Sequence, residues 1–314
     1  MLQLREAVAA ALRRSVHRIA LRARAAGGSD KAAAAGGDRA VRYDADAKRL
    51  SEYGLAADSQ VDVKDLGPQV GYRLVFIAEY AGPIAIVLAV ALGALALLPA
   101  PLQALLGAPG EYAALDLAGA LRGLGGAPDG SAAWTRGVQA LGVALWVAHF
   151  AKRELETLFV HKFSRPTMPL ANLFKNCAYY WLFALAVVLP LCSARYTAPP
   201  RAVVAPAAAA WLAAQAVNFA VHWHFASARA GDGDRTRDAP RGALFALVSC
   251  PNYTAEVLGW VAWTALTHVA AGGLFTLVGL AQMTQWALQK HAGYLRADKA
   301  YAKLGRKAII PFVL

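Results

Sequence analysis

Six apolar stretches, each long enough or nearly long enough to cross a lipid bilayer, constrain this chain more than any other feature. A membrane-spanning helix needs roughly 20 predominantly apolar residues, because the hydrocarbon core is about 30 Å thick. Hydrophobic residues make up 58% of the 314 positions and charged residues only 17%, a balance unlike that of a soluble domain. The sequence therefore predicts an all-α integral membrane bundle with about six spans, at 74–98, 132–151, 177–193, 202–225, 254–269 and 271–289. The last two are separated by a short connection and could instead form a re-entrant hairpin.

Positive charge is concentrated in alternate loops, which sets the predicted orientation. Lys and Arg cluster after the second, fourth and sixth spans, and the loop after the fourth span carries Arg229, Arg235, Arg237 and Arg241. Because cytosolic loops retain positive charge, we expect both termini in the cytosol. The net charge of +12 is spread over these clusters instead of forming one basic stripe. We therefore expect the lipid bilayer, and no nucleic acid, as the partner of this charge.

Residues 1–70 differ in kind from the rest of the chain. The segment 2–24 is rich in Arg and nearly free of acidic residues, so it could pass for a transit peptide. Alternation over 16–22 and 60–66 is instead typical of strands, and a Gly- and Ala-rich linker at 27–37 lies between them. We predict a small cytosolic α+β appendage over 1–70 and a membrane-embedded domain over 71–314.

Polar residues inside the fourth span indicate a functional or structural contact, because such residues are costly in lipid. Asn218, His222, Phe225 and Arg229 recur at helical spacing and share one stripe. The stripe could face a cofactor cavity, or it could be an interhelical hydrogen-bonding face that ends in a snorkelling arginine. Spacing alone does not separate the two.

The segment that opens the fifth span combines helix-start residues with aromatic and acidic ones. Pro251 is typical of a first helical position, Asn252 could cap the helix, and Glu256 would lie near the positive end of the helix dipole. Tyr253, Glu256 and Trp260 are predicted to share a face, although Tyr and Trp also favour the membrane boundary without any catalytic role.

Two further sets of polar residues lie at membrane depth or at its edge. Glu79 is inside the first span, where a carboxylate must be neutral, partnered or in contact with a wet cavity. The sixth span ends in Lys290, His291 and Tyr294, which could hold an anionic cofactor or simply mark the interface.

Several other classes of protein lack support in the sequence. The three cysteines lie in or beside apolar runs, and the single pair His222 and His224 points to different helix faces, so we expect no metal. No Gly-x-Gly-x-x-Gly follows a strand, and neither a serine-hydrolase elbow nor an HExxH motif occurs. We find no internal repeat of the kind many transporters carry.

Longer motifs resemble one known family. The runs 154–164 (ELETLFVHKFS), 172–181 (NLFKNCAYYW), 247–256 (LVSCPNYTAE) and 309–312 (IIPF) closely resemble the very-long-chain trans-2-enoyl-CoA reductases, within the wider steroid 5α-reductase superfamily. The resemblance covers about residues 60 to 314. It implies reduction of the C2–C3 double bond of a long-chain trans-2-enoyl-CoA with NADPH, the last step of fatty-acid elongation in the endoplasmic reticulum membrane. It also implies other elongation enzymes as partners, and a shortened or diverged ubiquitin-like domain at the N-terminus.

The same resemblance assigns roles to individual residues. Tyr253 matches the proton donor of the family, and Lys152 matches a lysine important there. The residues expected to hold NADPH are Asn218, His222, Arg229, Asn252, Lys290, His291 and Tyr294. Glu79 and Glu256 are expected at the substrate. Phe150 and Trp286 depart from the steroid branch, which has a catalytic tyrosine and a cofactor-binding arginine at these positions, and both departures favour the enoyl-CoA branch.

Two alternatives stay open at this point. The chain could be a sterol, steroid or polyprenol double-bond reductase of the same superfamily. It could also be a non-catalytic membrane partner of the elongation enzymes, although the set of Tyr253, Lys152, Asn218 and Asn252 argues against a silent scaffold.

Overall fold

A computed structural model describes residues 2–23, 61–106, 111–232 and 238–314 of the chain. The predicted linker at 27–37 and the loop cations Arg235 and Arg237 lie outside the described residues. The chain divides into two compact units, Met1–Tyr72 with Thr167–Phe174 and Arg73–Pro166 with Lys175–Leu314.

The first unit contains a helix and a two-stranded antiparallel sheet. Helix α1 spans Leu2–Ala11, and strand β1 (Ile19–Ala23) pairs with β2 (Val61–Asp65). Ile19 and Leu21 are buried against α1, so this sheet covers a small apolar core. The strands predicted for 16–22 and 60–66 are thus present, the first beginning three residues later after a 3₁₀ turn at Val16–Arg18. A ubiquitin-like origin for this appendage stays a prediction.

A second small sheet precedes two long helices. Strand β3 (Gln69–Gly71) pairs antiparallel with β4 (Thr167–Pro169), and Val70 lies opposite Met168. Each strand leads directly into a helix, α2 (Tyr72–Ala91) and α6 (Leu170–Cys192). The end of each short strand therefore marks where its helix begins.

Helices occupy all six stretches predicted as membrane spans. Besides α2 and α6 they are α5 (Ala132–Leu155), α7 (Arg201–Ser227), α8 (Pro251–Thr267) and α9 (Ala270–Ala297). Three of them, α2, α6 and α7, are long and apolar enough to cross a membrane. With 17 residues, α8 is about 26 Å long and shorter than the hydrocarbon core. The structure therefore supports a helical membrane protein, and the count of six crossings stays a prediction.

The first span ends earlier than predicted. Helix α2 stops at Ala91 because Gly93 adopts a left-handed conformation with φ of 83°, a common way to end a helix. A 3₁₀ turn (Ala94–Leu97) occupies the remainder of that apolar run, and the short helix α3 (Ala100–Leu106) comes directly after it. Helices α4 (Leu117–Leu124) and α10 (Lys299–Ala302) complete the set in the described residues.

Aromatic side chains form the main core of the second unit, where α5, α6, α8 and α9 meet. Trp146 lies 4.9 Å from Trp260 and 5.3 Å from Phe150, measured between ring centroids. Phe150 is only 1% exposed, so its ring packs inside this core. Large aromatic rings bury much apolar area and hold the helices in one arrangement.

Gly142 allows α5 and α8 to approach closely. The indole nitrogen of Trp263 donates to the backbone oxygen of Gly142 at 3.0 Å. A Cβ atom at position 142 would lie 2.9 Å from Thr267 Cγ2 and 3.1 Å from Leu191 Cδ2. Small residues at such contacts let helix backbones pack directly.

We predict that Gly142→Val lowers the stability of the folded protein by about 1–3 kcal/mol, because the added methyl groups overpack this contact. The measurement is the apparent melting midpoint of the purified protein in detergent. Gly123→Val is the matched control, because a Cβ at that position meets nothing within 4 Å. Equal midpoints for the two variants would contradict the importance of the contact.

Candidate active site

Three charged residues at the end of α5 form the centre of a buried ionic network. The carboxylate of Glu156 is 1% exposed and accepts hydrogen bonds from Lys152 Nζ at 3.0 Å and from Arg153 Nη1 at 2.5 Å. A π-helical turn begins at Glu156, where the backbone N–H of His161 bonds to the Glu156 carbonyl at 2.7 Å. Single π turns are frequent at functional sites, because they redirect side chains that regular spacing would place elsewhere.

Two histidines complete the surroundings of Glu156. His222 Nδ1, from α7, lies 3.0 Å from Glu156 Oε2, and the His161 ring packs edge-on against His222 at 5.0 Å. Burial lowers the pKa of His161 to about 3, and the nearby Arg153 acts in the same direction. Burial raises the pKa of Glu156, but the bond to His222 and the charges of Arg153 and Lys152 outweigh it and hold the pKa well below its usual range. Glu156 is therefore ionised and His161 neutral at physiological pH.

Glu156, His161 and His222 also have the residue types of a metal site. Their ligand atoms lie within 4.8 Å of one another, and no other such group occurs in the described ranges. Arg153 Nη1, however, lies 2.5 Å from Glu156 Oε2 and 3.0 Å from His222 Nδ1. The guanidinium thus contacts two of the three candidate ligands, and a second cation would be repelled there. The arrangement favours an ion-pair network over a metal centre.

Asn218 connects this network to α8. Its side-chain oxygen accepts a hydrogen bond from Lys152 Nζ at 2.5 Å. Its side-chain nitrogen donates to the backbone oxygen of Asn252 at 3.0 Å and to Glu256 Oε2 at 3.1 Å. One buried amide therefore holds α5, α7 and α8 together.

Glu256 points into the same network from α8. Its Oε1 accepts from Trp260 Nε1 at 3.0 Å and lies 3.2 Å from His149 Nε2. The other ring nitrogen of His149 is 3.1 Å from Gln215 Oε1. Both carboxylate oxygens of Glu256 thus have partners within the protein, which explains its position without the helix-dipole role that the sequence suggested.

The sequence interpretation missed Arg153, Glu156, His149 and Tyr80 as members of this network. Arg153 Nη2 donates to Tyr80 Oη at 3.1 Å, and its guanidinium lies 5.3 Å from the Tyr80 ring centroid. The available signal was the density of charge directly after the second apolar stretch, at Lys152, Arg153 and Glu156. Such a run is usually a solvated helix face, so the signal was weak.

The start of α8 differs from its prediction at Asn252. The helix begins at Pro251, as predicted, but Cys250 occupies the capping position without a side-chain hydrogen bond. The prediction that Asn252 caps the helix is therefore wrong, because Asn252 is already inside the first turn. Its side-chain oxygen is buried and has no hydrogen-bond partner among the described residues. A buried acceptor of this kind calls for an explanation, and a bound ligand is one that fits.

Tyr253 faces α9 and not the ionic network. Lys290 Nζ donates a hydrogen bond to Tyr253 Oη at 2.8 Å and lies 4.5 Å from the centre of the phenol ring. In the described residues Lys152 and Tyr253, the two predicted catalytic residues, have no hydrogen bond to each other. Tyr253 and Glu256, predicted to share a face, have different neighbours.

The remaining predicted residues lie in three other places. Arg229 follows the end of α7, where its Nη1 donates to the Lys162 backbone oxygen at 2.5 Å and Lys162 Nζ donates to the Arg229 oxygen at 2.5 Å. It lies just beyond the helix, beside Lys162, whose neighbour His161 packs against His222. Glu79 Oε2 accepts from Asn176 Nδ2 at 2.7 Å, which supplies the partner that its depth in the membrane requires.

The two residues predicted at the end of the sixth span share one neighbourhood. His291 Nδ1 lies 2.6 Å from Ser249 Oγ, which also bonds to Tyr301 Oη. Tyr294 is buried, with its ring 5.5 Å from that of Tyr301. These residues pack beside the chain segment that leads into Asn252 and Tyr253.

Comparison with known proteins identifies the family of this chain. The family described as 3-oxo-5-alpha-steroid 4-dehydrogenase matches residues 166–314. A protein of Trypanosoma brucei brucei, named as a candidate enoyl-CoA reductase, is 44% identical over 279 residues, which are 88% of this chain and 83% of that protein. The very-long-chain enoyl-CoA reductase of Dictyostelium discoideum is 36% identical over 262 residues, 83% of this chain and 76% of its own. The chain therefore belongs to the very-long-chain enoyl-CoA reductases.

Proposed function

We propose that this protein reduces the C2–C3 double bond of very-long-chain trans-2-enoyl-CoA with NADPH, as the last step of fatty-acid elongation in the endoplasmic reticulum membrane. The observation that carries the proposal is the pairing of the Tyr253 phenol with the Lys290 ammonium, next in sequence to Asn252, whose buried side-chain oxygen has no partner among the described residues. Family membership supports the reaction class and a nicotinamide cofactor. Multi-pass insertion with both termini in the cytosol, and association with other elongation enzymes, are parts of the same proposal.

The side-chain oxygen of Asn252 shows how the residues fit a nicotinamide cofactor, because it is buried and has no partner among the described residues. A buried acceptor without a donor costs about 1–3 kcal/mol, and a carboxamide offers the N–H groups that would satisfy it. The other residues proposed to hold the cofactor are Asn218, His222, Arg229, His291 and Tyr294. Arg229 suits a phosphate, including the 2′-phosphate that separates NADPH from NADH. Lys290, which the sequence groups with them, is directed at Tyr253 instead.

The proposed mechanism assigns one task to each group of the protein. The cofactor, when bound, supplies hydride to C3 of the substrate. Negative charge then develops on the thioester oxygen, and Lys152 is proposed to stabilise it. The C2 atom takes the hydroxyl proton of Tyr253, so that the C2–H bond forms as the O–H bond breaks. The acyl chain is proposed to lie among the apolar helices, and the CoA group to enter from the cytosol.

A second candidate, reduction of a steroid or sterol enone, is favoured by the family match over residues 166–314. Phe150 argues against it, because a buried phenyl ring stands where the steroid branch has a catalytic tyrosine. Membranes containing the protein and NADPH should saturate a long trans-2-enoyl-CoA faster than a steroid enone. The reverse preference would favour the second candidate, and no turnover of either would favour a non-catalytic partner.

We predict that Tyr253→Phe lowers turnover by about 10²–10⁴-fold, because the ring still packs but the proton is lost. The measurement is formation of saturated acyl-CoA in membranes with equal amounts of folded protein. Tyr196→Phe is the matched control, because it removes a hydroxyl that bonds only to the backbone oxygen of Thr267 among the described residues. Full turnover in Tyr253→Phe would exclude this tyrosine as the donor.

We predict that Asn252→Ala raises the KM for NADPH about tenfold, the loss expected for one neutral hydrogen bond of roughly 1.4 kcal/mol. The melting midpoint should change little, because the removed oxygen has no partner in the described part of the chain. Asn172→Ala, at a half-buried amide of α6, serves as the control for removing an amide. An unchanged KM in Asn252→Ala would contradict the cofactor contact.

A further inference from the structure

We propose that Lys290 is a positioning residue for proton transfer, which orients the phenol of Tyr253 and stabilises the phenolate that remains after the proton leaves. The inference rests on the proposed function of Tyr253 as proton donor. It differs from a phosphate-binding role for Lys290, which the sequence alone suggested.

The contacts of Lys290 are directed at one residue. Its ammonium lies 2.8 Å from Tyr253 Oη and 4.5 Å from the ring centroid. In the described part of the chain, no carboxylate lies within 4.0 Å of Lys290 Nζ, and Tyr253 is its one side-chain partner. Lys152 differs, since it donates hydrogen bonds to both Glu156 and Asn218. The charge of Lys290 is thus available to a phenolate.

The direction of the hydrogen bond leaves the phenolic proton free. An ammonium group has donors and no acceptor, so Lys290 donates and Tyr253 Oη accepts. The hydroxyl hydrogen of Tyr253 must therefore point away from Lys290, and none of the described residues accepts it. A proton donor needs this arrangement, because a phenol that donates to a protein acceptor has no proton aimed at a substrate.

The surroundings strengthen the interaction between the two groups. Tyr253 packs against Cys250, Ala287, Ala308 and Ile309, all of which are buried. The buried thiol of Cys250 is the titratable group of this cluster, and the ring of Trp286 lies 6.3 Å from that of Tyr253. In such an apolar environment an ion pair is stronger than it would be in water.

The backbone of Tyr253 is held independently of Lys290. The backbone N–H of Cys250 donates to the Ala308 oxygen at 3.1 Å, and Thr254 Oγ1 donates to the Ile309 oxygen at 2.6 Å. The C-terminal segment thus anchors both sides of Tyr253 in the chain. Loss of the Lys290 ammonium should therefore free the hydroxyl without displacing the helix.

The proton step balances with the groups named. After hydride addition at C3, the substrate C2 takes the Tyr253 proton, and the electron pair of the O–H bond stays on the phenolate oxygen. Lys290, 2.8 Å away, holds this negative charge as an ion pair. A proton from water then restores the phenol. Charge stabilisation of this kind matters only once the proton has moved, so it lowers the barrier of the proton step and not the affinity for cofactor.

The test compares Lys290→Met and Lys290→Gln with Lys290→Arg in the membrane-bound protein. We expect kcat to fall about 10²-fold in the two neutral variants and less than about tenfold in the arginine variant, which keeps the charge. The dissociation constant for NADPH, measured by quenching of protein fluorescence, should stay within about twofold. The solvent deuterium isotope effect on kcat should rise, because proton transfer becomes slower. Lys303→Met, which removes an exposed cation of the same C-terminal region, should leave all these quantities unchanged.

Two results would overturn the proposal. If Lys290→Met and Lys290→Gln bind NADPH more weakly but retain kcat, Lys290 contacts a phosphate of the cofactor. If both variants behave like Lys303→Met, Lys290 has no role in the reaction. In a Tyr253→Phe background, Lys290→Met should cause no further loss of kcat, because the two residues act through one proton. Full activity of Tyr253→Phe with Lys290 intact would instead refute the donor assignment itself, so the two failures can be told apart.

Discussion

Buried charge requires a partner inside the protein, and this requirement governs the arrangement of α5, α7 and α8. Glu156 and Glu256 are carboxylates in a helical core, where an unpaired charge would cost several kcal/mol. The side-chain amide of Asn218 lies between them. Its oxygen accepts a hydrogen bond from Lys152, and its nitrogen donates one to Glu256. A small rotation of α7 would break these bonds. The polar network therefore fixes the register of the helices, which apolar packing alone would leave less specific.

The network and the Tyr253 pair represent two uses of polar groups. Around Glu156 two cations share one carboxylate, and the hydrogen-bonding groups meet partners within the protein, which orders the side chains there. Around Tyr253 a cation has no acid beside it in the described residues, and the neighbouring Asn252 oxygen has no donor. Unsatisfied groups of this kind are unfavourable in an empty protein. They become favourable when a ligand supplies the missing partners, which is why we propose this as the reactive end of the site.

The aromatic core connects this chemistry to the membrane setting. Trp146, Phe150 and Trp260 are nearly inaccessible to solvent and lie directly beside His149, whose ring is 4.5 Å from that of Trp260. They exclude water from the side of the network that faces the apolar helices. A dry wall of this kind strengthens the electrostatic interactions beside it and is compatible with a long acyl chain.

The sequence by itself determined the local properties of this protein. Length and hydropathy predicted six apolar helices, and the structure has a helix in each of these stretches; alternation predicted β1 and β2, because both patterns follow from the geometry of a single element. The motif around Tyr253 indicated the family before any contact was known. The predictions that Asn252 caps its helix and that the first span extends to residue 98 were wrong. Both depend on where a helix begins or ends, which single residues specify only weakly.

Only the tertiary structure decided which charge meets which partner. Lys152 and Asn218 are 66 positions apart, and Tyr253 and Lys290 are 37 apart. Sequence spacing could place each of them on a helix face but could not rotate the helices relative to one another. For that reason the sequence could not show that Tyr253 contacts Lys290. Helix packing fixes those rotations through many small contacts far apart in the chain, and the site exists only where the rotations bring its members together.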